Sequence, residues 1–333
     1  MTPLLHIKDL KVSFKTSLKK LQAVRNVSFN LYPKETIGIV GESGCGKSVM
    51  VKAILKLFSS PSASIESGQV LYQGKDLLSL SEKQLQGIRG KEIAMIFQDP
   101  MSSLNPTMKI GKQILESLLH HKPHLSYKEG YEKVLNLLSL VGISQSEVRF
   151  HQYPHELSGG MRQRVMIALA LAPSPKVLIA DEPTTALDAT IQAQILLLLK
   201  EIQEKTHTSI LLITHDLSIV SGFCDKVIVM YAGKIVETAS VEDLFKCPKH
   251  PYTKRLLESI PRLDLPSDYS LKPIQGAPPD LSRSSIGCSF RPRCSCSLNI
   301  CAQESPPLFD LSKTRKSACW HHDPRALKHG DDL

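Results

Sequence analysis

The octapeptide GESGCGKS, residues 41–48, restricts most what this chain can fold into. It closes the apolar run ETIGIVG (35–41), which reads as a buried strand. The residues that follow, VMVKAILKLF (49–58), carry apolar side chains at helical spacing. In a strand–loop–helix unit, glycines let the backbone wrap so that successive N–H groups point inward. The amino end of the helix adds partial positive charge, and the ligand that matches both is an anion such as phosphate. The pattern G-x-x-x-x-G-K-[ST] therefore predicts nucleotide binding by Gly41, Glu42, Ser43, Gly44, Cys45 and Gly46. Lys47 reaches the β- and γ-phosphates in this reading, and the Ser48 hydroxyl ligates Mg²⁺.

Such a site needs acids at the end of a neighbouring strand, and KVLIADEP (176–183) supplies two. Asp181 is expected to hold Mg²⁺ through water, and Glu182 to act as the general base that polarises an attacking water. SILLITHD (209–216) repeats the theme of an apolar strand with polar groups at its carboxyl end. KVIVMYAGKIVETA (226–239) reads as two strands turning at Ala232-Gly233. Helical patterning dominates from about 99 to 172, most clearly in YEKVLNLLSLVG (131–142) and MRQRVMIALALA (161–172). Strands and helices in alternation predict an α/β core.

Composition narrows the function classes. With 333 residues and 42% hydrophobic content, a sizeable core forms, in two domains or in one with appendages. His6, Lys8 and Asp9 interrupt the opening MTPLLHIKDLKVSF, so no export signal is expected. Runs such as VLIA (177–180) and ILLLL (195–199) are far too short to cross a bilayer. The net charge of +9 is spread along the chain and aromatics are only 5%, which argues against a nucleic-acid surface. From about 251 the texture changes. HPYTKRLLESIPRL (250–263) reads as one helix, and Pro261, Pro266, Pro273, Pro278 and Pro279 then mark an irregular tail.

Further residues select among nucleotide-binding folds. ELSGGMRQR (156–164) resembles the signature motif of ABC-type ATPases, with Met161 where Gln is common. Gln98 in FQDP matches that family's Q-loop, Asp188 in ALD its D-loop, and His215 in LITHD its switch histidine. The resemblance implies a P-loop NTPase of the ABC cassette type, a RecA-like core with an antiparallel β part and a helical subdomain at about 99–172. The cassette would occupy residues 1–250, with an irregular cysteine-containing extension over 251–333. It further implies ATP and Mg²⁺ as cofactors, with Ser48, Gln98 and Asp181 about the metal and His215 positioning the γ-phosphate and water. Phe14 is the expected adenine-stacking aromatic. Two cassettes would face head to tail, Ser158, Gly159, Gly160 and Met161 covering the nucleotide held by the partner.

FQDPMSSLNPTMKIG (97–111), HQYPHELSGGMRQR (151–164), KHPYTKRLLESIP (249–261) and GAPPDLSRSSIGCSFRPRC (276–294) look like ATP-binding subunits of oligopeptide, dipeptide and nickel importers, above all their D-type ATPase. The function so implied is ATP hydrolysis that drives import of di- or oligopeptides, with nickel or another solute as alternative cargo. The implied partners are a second related ATPase subunit or a second copy, two transmembrane permease subunits and, indirectly, a solute-binding protein. No nucleic acid is expected, and the place is the cytoplasmic face of the cell membrane, peripherally. A soluble ABC ATPase of DNA repair or translation is the competing class, but it usually carries a coiled-coil insertion, zinc inserts or two cassettes. Cys288, Cys294, Cys301 and Cys319, with Cys296 extra, crowd the tail. The importer family has a similar four-cysteine tail that in some members binds an iron–sulfur cluster. A [4Fe-4S] cluster is thus expected, with zinc on the same thiolates, or unliganded thiols, as the alternatives.

Overall fold

Residues 2–15, 19–58, 60–99, 103–185, 187–260, 274–282 and 286–327 are described by a computed structural model. Pro261, Pro266 and Pro273, expected to break the tail, and the end of the helix read over 250–263 lie outside these residues. The strands in chain order are β1 (Leu5–Lys15), β2 (Lys20–Leu31), β3 (Thr36–Val40), β4 (Ala63–Tyr72), β5 (Lys75–Asp76), β6 (Ile93–Ile96), β7 (Val177–Asp181), β8 (Ser209–Thr214), β9 (Lys226–Tyr231), β10 (Lys234–Ser240), β11 (Phe309–Asp310) and β12 (Lys316–Ser317). The chain divides into two compact units, one of Met1–Leu31, Thr36–Leu78 and Thr214–Leu333, the other of Tyr32–Glu35 and Ser79–Ile213.

In the first unit, β1 pairs antiparallel with β2 and β4, and β5 extends β4. Alternation along β1 buries Leu5 and Ile7, then Leu10 and Val12. The step from Ile7 to Leu10 is three residues, not two, which would turn the second pair outward. A register shift between these residues absorbs the extra one, where Asp9 takes φ 49° and donates its N–H to Ser28 Oγ at 2.7 Å. The bulge keeps both apolar pairs on one face.

The same unit holds a second group of strands in the order β11-β12-β10-β9-β3. β3 runs parallel to β9 and is buried at all five positions, as expected of a parallel strand covered on both faces. β9 and β10 form the predicted hairpin. Its turn places Ala232 at φ 50° and Gly233 at φ 77°, the paired left-handed conformation of a tight two-residue hairpin.

The Cys-containing extension joins this sheet, because β12 pairs with β10 and β11 with β12. The junction is built on a carboxylate. Glu237 on β10 is 0% exposed. It accepts the N–H groups of Lys249 at 2.9 Å and His250 at 2.8 Å, and Arg315 Nη2 at 3.1 Å. Arg315 also donates to the Cys247 carbonyl. Burial pushes the His250 imidazole down to about 3. It is therefore neutral at ordinary pH, and its Nδ1 caps the helix Pro251–Glu258 by accepting the Tyr252 N–H at 3.1 Å.

In the second unit, β6, β7 and β8 are parallel neighbours. The helices Ile110–His121, Tyr127–Leu140, Ser146–Phe150 and Gly159–Leu171 occupy the stretch that reads as helical. Ile110, Ile114 and Leu118 recur every four residues and are buried, as are Val134 and Leu138 on the next helix. Phe150 is 1% exposed and meets Tyr131 edge-on at 4.8 Å. Among the described residues, no helix is long and apolar enough to cross a membrane.

Replacing Glu237 by Ala leaves the Arg315 guanidinium buried without its carboxylate. Breaking one side of a buried pair costs about 3–5 kcal/mol, so the expected result is a large drop in the urea midpoint of the full chain. A loss below about 1 kcal/mol would contradict the buried-anchor account.

Candidate functional site

Residues 41–46 link β3 to the helix Lys47–Ile54 in the first unit. Two glycines there have no space for a side chain. A Cβ on Gly41 would stand 2.2 Å from the Met230 carbonyl oxygen, and one on Gly46 2.2 Å from that of Ala23. Gly46 also takes φ 102°, a left-handed conformation that glycine adopts without strain. The Gly233 N–H donates to the Cys45 carbonyl at 2.9 Å, which ties the loop to the β9–β10 turn. Sequence alone predicts a phosphate cradle here, and the backbone at this place is a tight loop opening on a helix amino terminus.

Lys47 is 4% exposed. Its ammonium donates to the carbonyls of Gly41 at 2.7 Å and Glu42 at 3.1 Å, so its position depends on where those two residues are held. Cys45 lies 3.8 Å from that ammonium, yet burial pushes its thiol up, and it serves as a small neutral filler. Ser43 and Gly44 are exposed, and Ser48 is half-buried. Phe14 is half-buried on β1 and meets Phe58 edge-on at 6.2 Å. His215 is exposed at the end of β8, next to Asp216, which caps the helix Leu217–Phe223.

The second unit presents the acids. Asp181 ends β7 and is 2% exposed. Glu182 follows at φ 49°, with its N–H donating to the Ile213 carbonyl at 2.9 Å. Its carboxylate Oε2 accepts Gln98 Nε2 at 3.0 Å and the Thr185 hydroxyl at 3.0 Å. Gln98 follows β6, the strand paired with β7, so two neighbouring parallel strands deliver the amide and the acid to one end of the sheet. Thr185 was not legible as a functional residue. The signal was a hydroxyl three residues after the acid in EPTT.

Ser158 caps the helix Gly159–Leu171 by accepting the Met161 N–H at 3.3 Å. Ser158 and Gly159 are exposed, while Gly160 and Met161 are half-buried. The amino end of a 13-residue helix, with Ser158 and Gly159 at its start, is thus exposed. Asp188 is exposed and caps the helix Ala189–Thr206 through the Ile191 N–H at 2.9 Å. A Cβ on Gly160 would lie 2.9 Å from Ile191 Cγ2, so only glycine lets these two helix starts approach so closely.

The tail cysteines require a correction. None of the eight is in a disulfide. Among the described residues, no group of three or more His, Cys, Asp or Glu side chains is placed to hold a metal ion. The iron–sulfur cluster or zinc expected on Cys288, Cys294, Cys301 and Cys319 therefore has no support. Three of these thiols pack with the apolar clusters of the tail, Cys288 against both of them, and Cys294 lies 3.6 Å from Cys296. Cys288 and Cys294 lie against the cluster of Tyr231, Tyr252 and Phe290, and Cys301 pairs with Trp320. Burial pushes Cys319 up to about 11 and Cys294 up to about 12, and the neighbouring cysteines add to both rises.

Comparison with known proteins fits these observations. Residues 24–185 match the ABC transporter family, and residues 236–301 match the oligopeptide/dipeptide transporter C-terminal region. The oligopeptide transport ATP-binding protein OppD of Bacillus subtilis is 53% identical over 328 residues, covering 98% of this chain and 91% of that one. The dipeptide transport ATP-binding protein DppD of the same organism is 52% identical over 326 residues, covering 98% and 97%. Among solved structures, the dimeric ATP-binding cassette MJ0796, in a post-hydrolysis state bound to ADP and Pi, superposes with a TM-score of 0.64. It is 27% identical and covers 71% of this chain and 98% of that one. These matches show the family: the chain belongs to the ABC ATPases that form the ATP-binding subunits of oligopeptide and dipeptide transporters.

Proposed function

We propose that this chain hydrolyses ATP as the energy-coupling subunit of a di- or oligopeptide importer, at the cytoplasmic face of the membrane. The observation that carries the reading is Glu182, an acid at the end of a buried strand whose carboxylate is held by Gln98 and Thr185. A module that only bound ATP would have no use for an oriented base. The similarity across residues 236–301 supports transport over DNA repair or translation, because that segment lies outside the catalytic motifs.

Toward ATP, the N–H groups of residues 41–48 and the Lys47 ammonium offset the charge of the β- and γ-phosphates. Mg²⁺, when bound, neutralises phosphate charge, and Ser48, Gln98 and Asp181 are the residues that would hold it. Glu182 takes a proton from the attacking water, and His215 orients the γ-phosphate. Phe14 supplies the face on which adenine stacks. Ser158, Gly159, Gly160 and Met161 offer an exposed helix amino end to nucleotide on a second cassette, with Asp188 beside them in the same role of contact between cassettes. The dimeric form of the MJ0796 cassette supports such pairing, here with a related ATPase subunit or a second copy. Two permease chains then provide the path through the membrane, fed by a solute-binding protein.

Glu182→Gln is expected to keep ATP affinity while phosphate release by the assembled transporter falls about 10²–10⁴-fold. Turnover near that of the parent would remove Glu182 from the role of base. Lys47→Ala is expected to raise the dissociation constant for MgATP at least about tenfold, the loss of one charge-assisted contact. Calorimetry that shows unchanged affinity would overturn the assignment of residues 41–48 as the ATP site.

A further inference from the structure

Glu42, the second residue of the phosphate loop, is held by two residues of the C-terminal extension. Its carboxylate receives a two-pronged ion pair from Arg293, with Nη1–Oε2 at 2.6 Å and Nη2–Oε1 at 2.9 Å. Its backbone N–H donates to the Tyr252 hydroxyl at 2.9 Å. Arg293 lies 251 residues further along the chain. No local propensity brings such groups together, and only the folded tail does.

The guanidinium is fully committed. Nε donates to the Gln275 carbonyl at 2.9 Å, Nη1 also approaches the Tyr231 hydroxyl at 3.4 Å, and Nη2 the Ile274 carbonyl at 3.3 Å. With the two bonds to Glu42, all five N–H donors of the side chain have an acceptor. The side chain is 4% exposed, and the Tyr231 ring lies 5.9 Å beneath it. Tyr252 is 0% exposed and packs on Tyr231 at 4.5 Å and Phe290 at 5.4 Å, so its hydroxyl has little freedom to move. Both grips on Glu42 are therefore rigid. The grip continues into the loop, because the Glu42 and Gly41 carbonyls are the acceptors of the Lys47 ammonium.

We infer that Arg293, seconded by Tyr252, is a positioning residue for ATP binding: the tail fixes Glu42, and Glu42 fixes the loop backbone and Lys47. The inference rests on the reading of residues 41–48 as the ATP site. Arg293 does not touch the phosphates in this account. It sets how much of the loop's geometry is in place before ATP arrives, which is a contribution to affinity and not to the chemical step.

The test uses the full-length chain. For Arg293→Ala and Arg293→Lys, MgATP affinity is measured by calorimetry, and KM and kcat for ATP in the assembled transporter. Lysine keeps the charge but not the planar fork, so both variants are expected to raise Kd and KM about tenfold, with kcat at saturating ATP within about twofold. A merely structural role would move the denaturation midpoint and leave the Kd of the folded protein alone. Glu42→Gln cuts the same pair from its more exposed end, and covers the case in which an Arg293 variant does not fold. It should match the Arg293→Lys loss and add little to it in the double variant. Folded Arg293→Lys or Glu42→Gln protein that binds MgATP within about twofold of the parent overturns the inference. Lys47→Ala separates the two readings. If it binds ATP like the parent, the ATP site itself is misassigned. If it fails while the Arg293 and Glu42 variants bind normally, only the positioning role is lost.

Discussion

The rest of this protein depends on a steric constraint between backbones. The carbonyls of Ala23 and Met230 stand where side chains at positions 46 and 41 would be, so the phosphate loop is wedged between two strands and has one path open to it. That path buries Lys47 and turns its ammonium onto the loop's own carbonyls. A flexible glycine loop would lose entropy each time it closed on an anion. A wedged one has already lost it on folding, so more of the binding free energy remains for affinity.

Much of the cassette is legible in sequence because its signals are local. Five-residue apolar runs such as VLIAD and TIGIV declare strands buried on both faces, and Ala232-Gly233 announces its hairpin through the left-handed geometry it needs. Ser158 and Asp188 stand where helix caps stand. The interactions missed are those with no local trace. Glu237 reads as a solvated residue on a strand, and only the arrival of Lys249, His250 and Arg315 makes it a core residue. Arg293 and Glu42 are too far apart in sequence for any pattern to join them. Thr185 is one of several hydroxyls in its loop, and its role appears only once Glu182 is folded toward it.

The metal expected on the cysteines finds no support for a related reason. Four thiols in a proline-rich stretch resemble a ligand set, since spacing is all that sequence offers. Spacing carries no information about burial. The tail has its own apolar anchors, in Phe290 and Trp320, and Cys288, Cys294 and Cys301 pack with them. Sulfur is soft and weakly polar, so the same residue type suits a dry cluster as well as a metal. Order in the tail comes from those aromatics and from two buried arginines, each tied to a glutamate of the cassette.

That dependence has a consequence for the order in which the chain becomes native during synthesis. β10 is made early, yet until Lys316–Ser317 pairs with it one edge of the sheet is an unpaired row of N–H and C=O groups. Over the same interval Glu237 carries a charge without the guanidinium that permits its burial. A ribosome that has released the hairpin but not yet residue 317 therefore holds an open-edged intermediate, the kind of species that chaperones cover.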